Sequence, residues 1–186
     1  MTAFDALGYA GTVLYLANHA YVSLHPSYRE TWYFSANLIA ALAVVASSLA
    51  LMSMQAVATN AFWAIISILR LFGKTPALAI SVPTLGWQTL LATGVCLTIG
   101  WWLDAAIAIA VAAWCSVLLF ATAYFLFASG QLAKRHYLIA NFVAAIVIMP
   151  QLWVDANYPV LLLEFAWAVI SAVGAVRADR AARVVE

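Results

Sequence analysis

Glu164 lies in the run Pro159–Val176, where every neighbour but Ser171 and Gly174 is apolar. An acid at the centre of a hydrocarbon layer costs at least ~2.5 kcal/mol. Such a residue must hold a proton, meet a cation or take strong hydrogen bonds. Trp167 follows three residues on, and residues i and i+3 share a helix face. Asn60 and Trp63 have the same spacing in an earlier apolar run. Aromatic walls with one or two hydrogen-bonding groups are the usual make-up of a small-molecule pocket. Asn60, Trp63, Glu164 and Trp167 are therefore the candidate substrate-binding layer. In the bland alternative, a protonated Glu164 ties one helix to another and does nothing else.

A second polar layer comprises Asn18, His19, Asn37 and Asn141. The pairs Ala40–Ala41 and Ala144–Ala145 follow each of the last two at i+3 and i+4. Small residues there admit another backbone while the amide bonds across. His19 could carry a proton or bind a ligand, or simply pack. No cofactor is expected. His25 and His136 fall at span ends, so His19 has no facing histidine for a haem, and the last span has no Lys for retinal. No metal cluster, phosphate loop or nucleophile with its base is evident. Catalytic residues, metal ligands and enzymatic activity are not expected. Cys96 and Cys115 sit inside apolar runs and imply neither disulfide nor metal.

The elements that hold these residues follow from composition. The chain has 186 residues, 67% apolar and 8% charged, with mean hydropathy +1.01. Soluble domains carry roughly 25% charged residues, so a soluble enzyme, a disordered region and a secreted disulfide scaffold are excluded. With no basic block, nucleic acid is not a partner; the lipid bilayer is. The chain opens with no basic residue and no cleavage signature, which reads as a permanent first span rather than a signal peptide.

Long apolar runs predict seven spans: Ala6–Leu24, Trp32–Met52, Ala56–Phe72, Leu85–Trp102, Ala105–Ala128, Tyr137–Val154 and Pro159–Val176. The breaks carry turn residues, as in His25-Pro26-Ser27, Gly73-Lys74-Thr75-Pro76 and Ser129-Gly130-Gln131. Spans four and five meet at Asp104, because one helix of ~43 residues would run about 65 Å, twice the need. With the N-terminus outside, all eight basic residues fall on one side, and Asp5, Asp104 and Asp155 on the other. That satisfies the positive-inside rule.

Sliding the sequence by 104 residues aligns Leu7–Arg70 with Val111–Gly174, with twelve identities. Tyr33 meets Tyr137, Asn37 meets Asn141, Trp63 meets Trp167 and Ser67 meets Ser171. Spans one to three fall on five to seven, with span four unpaired. The expected organisation is a first triple-helix bundle (1–73), a linker helix (74–102), a second bundle (103–176) and a basic cytoplasmic tail (177–186).

This all-α, 3+1+3 plan, a parallel repeat about an axis along the membrane normal, resembles the SWEET sugar facilitators and the PnuC vitamin-precursor transporters. Each triplet also looks like an uncharacterised bacterial three-helix membrane domain, with Asn opening its second helix and Trp-Ala in its third. The Pro-Gln pair typical of SWEET proteins stands instead at Pro150-Gln151, in the sixth span. The resemblance implies a small-solute facilitator in a bacterial inner (plasma) membrane, with its pocket between the triplets. The scarcity of polar side chains favours the other reading, a non-transporting accessory or structural subunit of a larger membrane complex. Partners would then be a small solute, a second copy or other membrane subunits.

Overall fold

The computed structural model describes residues 2–25, 27–74 and 104–185, with Leu91, Gly94, Thr98 and Trp102 as isolated helical positions. The described residues form six helices: α1 (Ala3–Leu24), α2 (Glu30–Ala50), α3 (Met54–Leu71), α4 (Ala105–Ala128), α5 (Lys134–Val154) and α6 (Tyr158–Val185). By length and composition, α2 to α6 can each cross a membrane. The helix α1 is as long, but Asp5, Asn18 and His19 make it more polar. The expected span Leu85–Trp102 lies outside the described residues apart from those isolated positions. Beyond residue 176 the helix α6 continues to Val185.

Local chemistry sets the helix ends. Thr2 caps α1 in a reciprocal box with Asp5, satisfying two otherwise orphaned N–H groups. The Asp104 carboxylate accepts from the Ala106 N–H at the start of α4. Pro159 falls in the first turn of α6, where its missing N–H costs nothing.

Contacts fix the helix directions. Thr12 donates to the Pro159 carbonyl at 2.9 Å, His19 meets Ser171, and Gly174 abuts Ser23, so α1 and α6 run parallel. Trp63 lies on Phe120 and Ser67 on Tyr124, so α3 and α4 are also parallel. Against them, α2 and α5 run the opposite way: Gly8 meets Ser47 and Asn18 meets Asn37. The end of α3 and the start of α4 therefore lie at opposite ends of the bundle. Consecutive helices pack side by side and α6 returns to α1, closing a ring.

The ring has an aromatic interior of Tyr15, Trp63, Phe120, Tyr124 and Trp167, all buried. Small residues bring the helices close. A Cβ on Gly11 would sit 2.9 Å from Val44 and 3.1 Å from the Ala40 carbonyl. Large apolar side chains cover the outside instead, among them Val13, Ile39, Ile65 and Phe165. An exterior of this kind is compatible with lipid rather than water.

The internal repeat is structural. Adding 104 to the bounds of α2 gives those of α5, and α3 and α6 begin at equivalent residues. The buried faces also correspond: Tyr33, Asn37, Ala40, Ala41 and Val44 match Tyr137, Asn141, Ala144, Ala145 and Ile148.

Candidate functional site

Where the halves meet, Trp63 of α3 and Trp167 of α6 stack with ring centroids 4.9 Å apart. Tyr15 of α1 sets its edge against both, at 5.2 and 5.9 Å. Phe120 and Tyr124 of α4 close the far side of Trp63. The His19 ring lies flat on Trp167 at 3.6 Å. The sequence places the two indoles in one layer, and the structure brings them into contact. The pocket expected between them is filled at this level by the rings themselves. Two cavities lie elsewhere.

Asn60 and Glu164 stand one turn before the indoles on the parallel helices α3 and α6, about 4.5 Å further along the axis. Both are buried, 3% and 4% exposed. Asn60 gives its amide N–H to the Ala56 carbonyl, leaving Oδ1 without a partner. Glu164 Oε2 also lacks one. The Tyr15 hydroxyl is unpartnered as well.

The second layer is a hydrogen-bonded lattice. Asn37 donates to the Tyr124 hydroxyl at 2.8 Å and accepts from Asn18 at 2.9 Å. Asn141 accepts from the Trp167 indole at 2.8 Å and donates to the Tyr137 carbonyl. His19 Nε2 pairs with Ser171 at 2.8 Å, and Ser67 with Tyr124 at 3.2 Å. The layer thus joins the two halves through both α1–α6 and α3–α4.

Here the symmetry breaks in one informative place. By the repeat, the Trp63 indole should donate to Asn37 as Trp167 does to Asn141. Asn18 takes that oxygen instead, and its equivalent in the second half is Thr122. The Trp63 N–H is left buried and without a partner. Buried orphan groups are uncommon and call for a specific explanation. Here Tyr15 OH, His19 Nδ1, Asn60 Oδ1, Trp63 Nε1 and Glu164 Oε2 gather around one aromatic stack.

Tyr15 and Tyr124 belong to this cluster but are missing from the residues singled out by sequence. Tyr15 shares a helix face with His19 at i+4, which is a legible signal. Tyr124 has Ala20 as its repeat equivalent and carries no such signal.

The ends of the bundle differ. At one end lie Arg29, Arg70, Lys134 and Arg135; at the other lie Asp5 and Asp155. At the acidic end the α2–α3 and α5–α6 turns clasp each other. Ser53 donates to Asp155 at 2.6 Å, and Asn157 donates to Ser48 at 3.1 Å. At the basic end Lys134 donates to the His25 carbonyl at 2.7 Å, and beside it a cavity of ≈ 320 Å³ opens between α3 and α4, with Tyr28, Phe34 and the Glu30–Arg70 ion pair on one side. Phe127, Ser129 and Leu132 line the other side. Burial, reinforced by the Glu30 carboxylate, pushes the Tyr28 phenol above its ordinary value. The second cavity, ≈ 440 Å³, is a groove beside α1 and α2 lined by Leu14, Asn18, Arg29 and Trp32.

One family model, of an uncharacterised family, matches the chain twice, over residues 4–75 and 109–183. The chain belongs to that family. Each match covers one set of three helices, so the family unit is the triplet and this chain carries two copies. No curated protein and no solved structure matches the chain. Among the described residues no group of His, Cys, Asp and Glu could hold a metal ion.

Proposed function

We propose that the protein is a small-solute transporter of the membrane, built as seven spans in a 3+1+3 arrangement. The parallel run of α3 and α4 supports the extra span, because a chain leaving one helix must recross the bundle to start the other. The gathering of basic residues at one end supports that end as the cytoplasmic one. In a bacterium this would be the inner membrane.

The observation that carries the reading is the contrast between the two ends of the seam. The halves are clasped by side-chain hydrogen bonds at the acidic end; at the basic end a cavity opens between α3 and α4, while Lys134 still bonds the His25 carbonyl at 2.7 Å. Buried polar atoms without partners sit between these two regions. Rocking one triplet against the other about the Trp63–Trp167 contact would exchange which end is open, as in other transporters built from repeats. Asn60, Trp63, Glu164 and Trp167 would contact the solute, with Tyr15 beside them. The test is uptake of labelled sugars, nucleosides, amino acids and amines into liposomes holding the purified protein. Saturable uptake of one class, lost in Glu164→Gln, is expected; no uptake of any class overturns the reading.

The close packing of the indoles favours one other reading, an accessory subunit that holds a larger membrane complex together. Purification from the native membrane separates the two. Stoichiometric unrelated subunits support the accessory role, and a monodisperse protein alone or as a homo-oligomer supports transport.

A further inference from the structure

The chemistry of the seam narrows the solute. Among the described residues Glu164 meets no cation. Arg29, Arg70, Lys134, Arg135 and Arg177 lie toward one end of the bundle, and residues 75–103 contain no Lys, Arg or His. The helices packed on α6 offer little else. From α1 come Tyr15 and His19, and α5 has no titratable side chain between Tyr137 and Asp155. Across the stack, α3 brings Asn60 and Trp63 and no titratable group near them.

A buried carboxylate without a cation is costly unless its charge is cancelled. Only a proton or a positively charged ligand can cancel it here. The groups around it suit the second as well as the first. Asn60 Oδ1 and Glu164 Oε2 are free acceptors, and Tyr15, Trp63 and Trp167 present aromatic rings. Aromatic faces attract ammonium groups, more strongly once these are stripped of water. A sugar or other neutral polyol would need more donors than Trp63 Nε1 and Tyr15 OH supply.

We propose that the seam binds a small organic cation, an alkylammonium or similar amine, which displaces the proton from Glu164. This rests on the transporter reading and names its substrate class. One cation enters as one proton leaves, so the charge buried at the site is unchanged. The stacked indoles must part to admit the ligand, and so must the Asn37–Tyr124–Ser67 bonds that separate them from the basic-end cavity. Transport would then be coupled to protons by exclusion, since the two occupants cannot share the carboxylate.

The probe is radiolabelled methylammonium, measured for binding to the full-length protein in nanodiscs between pH 6 and 9. Saturable binding is expected, weakening about tenfold per pH unit once the proton competes. Adding the unlabelled cation to wild-type protein in weak buffer should release about one proton per site bound. Glu164→Gln, checked for fold by circular dichroism, should lose binding at every pH, and Glu164→Asp should retain it. Binding with no proton release, or undiminished binding in a folded Glu164→Gln variant, overturns the proposal. No binding of the cation alongside saturable uptake of a neutral solute also overturns it, while leaving the transporter reading in place. Proton-releasing binding without flux in liposomes leaves the cation site standing and removes transport.

Discussion

Met52 and Ala156, 104 residues apart, both turn through left-handed backbone, at φ 56° and 52°. The hydrogen bonds around them repeat one for one. Met52 N–H reaches the Leu49 carbonyl and Ala156 N–H that of Trp153, each at 3.1 Å. Ser53 N–H reaches Ser48 and Asn157 N–H reaches Leu152, each at 3.0 Å. The two turns have no residue in common from Leu51 to Met54, against Asp155 to Tyr158. The fold has kept a backbone geometry that the sequence no longer advertises. These two turns also form the clasp that closes the acidic end.

Left-handed backbone costs a residue with a Cβ about 1–2 kcal/mol, and glycine avoids this. Met52→Gly and Ala156→Gly should each raise stability by up to about 1 kcal/mol. Ala36→Gly, in the middle of α2, should instead lose about 0.5–1 kcal/mol. Thermal unfolding in detergent measures all three. A loss at the two turn positions as large as that at Ala36 would mean the turns do not adopt this geometry.

The orientation is open to labelling. A cysteine replacing Asp155 should react with an impermeant maleimide added outside intact cells, and one replacing Arg135 only after lysis. A reporter fused after Glu186 should be active in the cytoplasm. External labelling at Arg135 would invert the topology.

Apolar run length and turn residues were enough to place the six described helices to within three residues at each end, except that α6 runs nine residues past Val176. The repeat was legible in Tyr33, Asn37, Trp63 and Ser67 because those residues face the core in both copies, where packing fixes identity. The partner of each polar side chain was not legible. Asn37 and Asn141 are identical and equivalent, yet Asn18 draws Asn37 into one network and leaves Asn141 to Trp167. One residue on a third helix makes that choice, and spacing within a helix says nothing about it. The filled aromatic layer was hidden for the same reason, since ring volume alone does not reveal whether rings wall a space or fill it.

Ser67 and Ser171 are equivalent, and their loss should have unequal cost. Ser171→Ala would leave His19 Nε2 with only Ser23, at 3.5 Å, while Nδ1 already has no partner. An orphaned buried polar group costs about 1–3 kcal/mol. Ser67→Ala would leave Tyr124 its bond from Asn37, so a loss of about 0.5–1.5 kcal/mol is expected. Unfolding of the two variants under one condition gives the comparison. Equal losses would show that His19 is satisfied in some other way.

The most direct test of the broken symmetry converts the first repeat to the second at one position. Asn18→Thr gives α1 the residue that α4 has at Thr122. It removes the donor now occupying Asn37 Oδ1, so the Trp63 indole can take that oxygen as Trp167 takes Asn141. The substitution removes Asn18's bonds to Asn37 and the Tyr33 carbonyl and gains one for Trp63. The net change in stability should therefore stay within about 1 kcal/mol. Indole N–H exchange, resolved with Trp63→Phe as the assignment control, should slow for Trp63 and stay unchanged for Trp167. If Trp63 Nε1 is kept free for a ligand, the same variant should bind the labelled cation more weakly, because a donor and a ring have been locked in place. Unchanged exchange at Trp63 would mean that Asn18 is not what leaves it unpartnered.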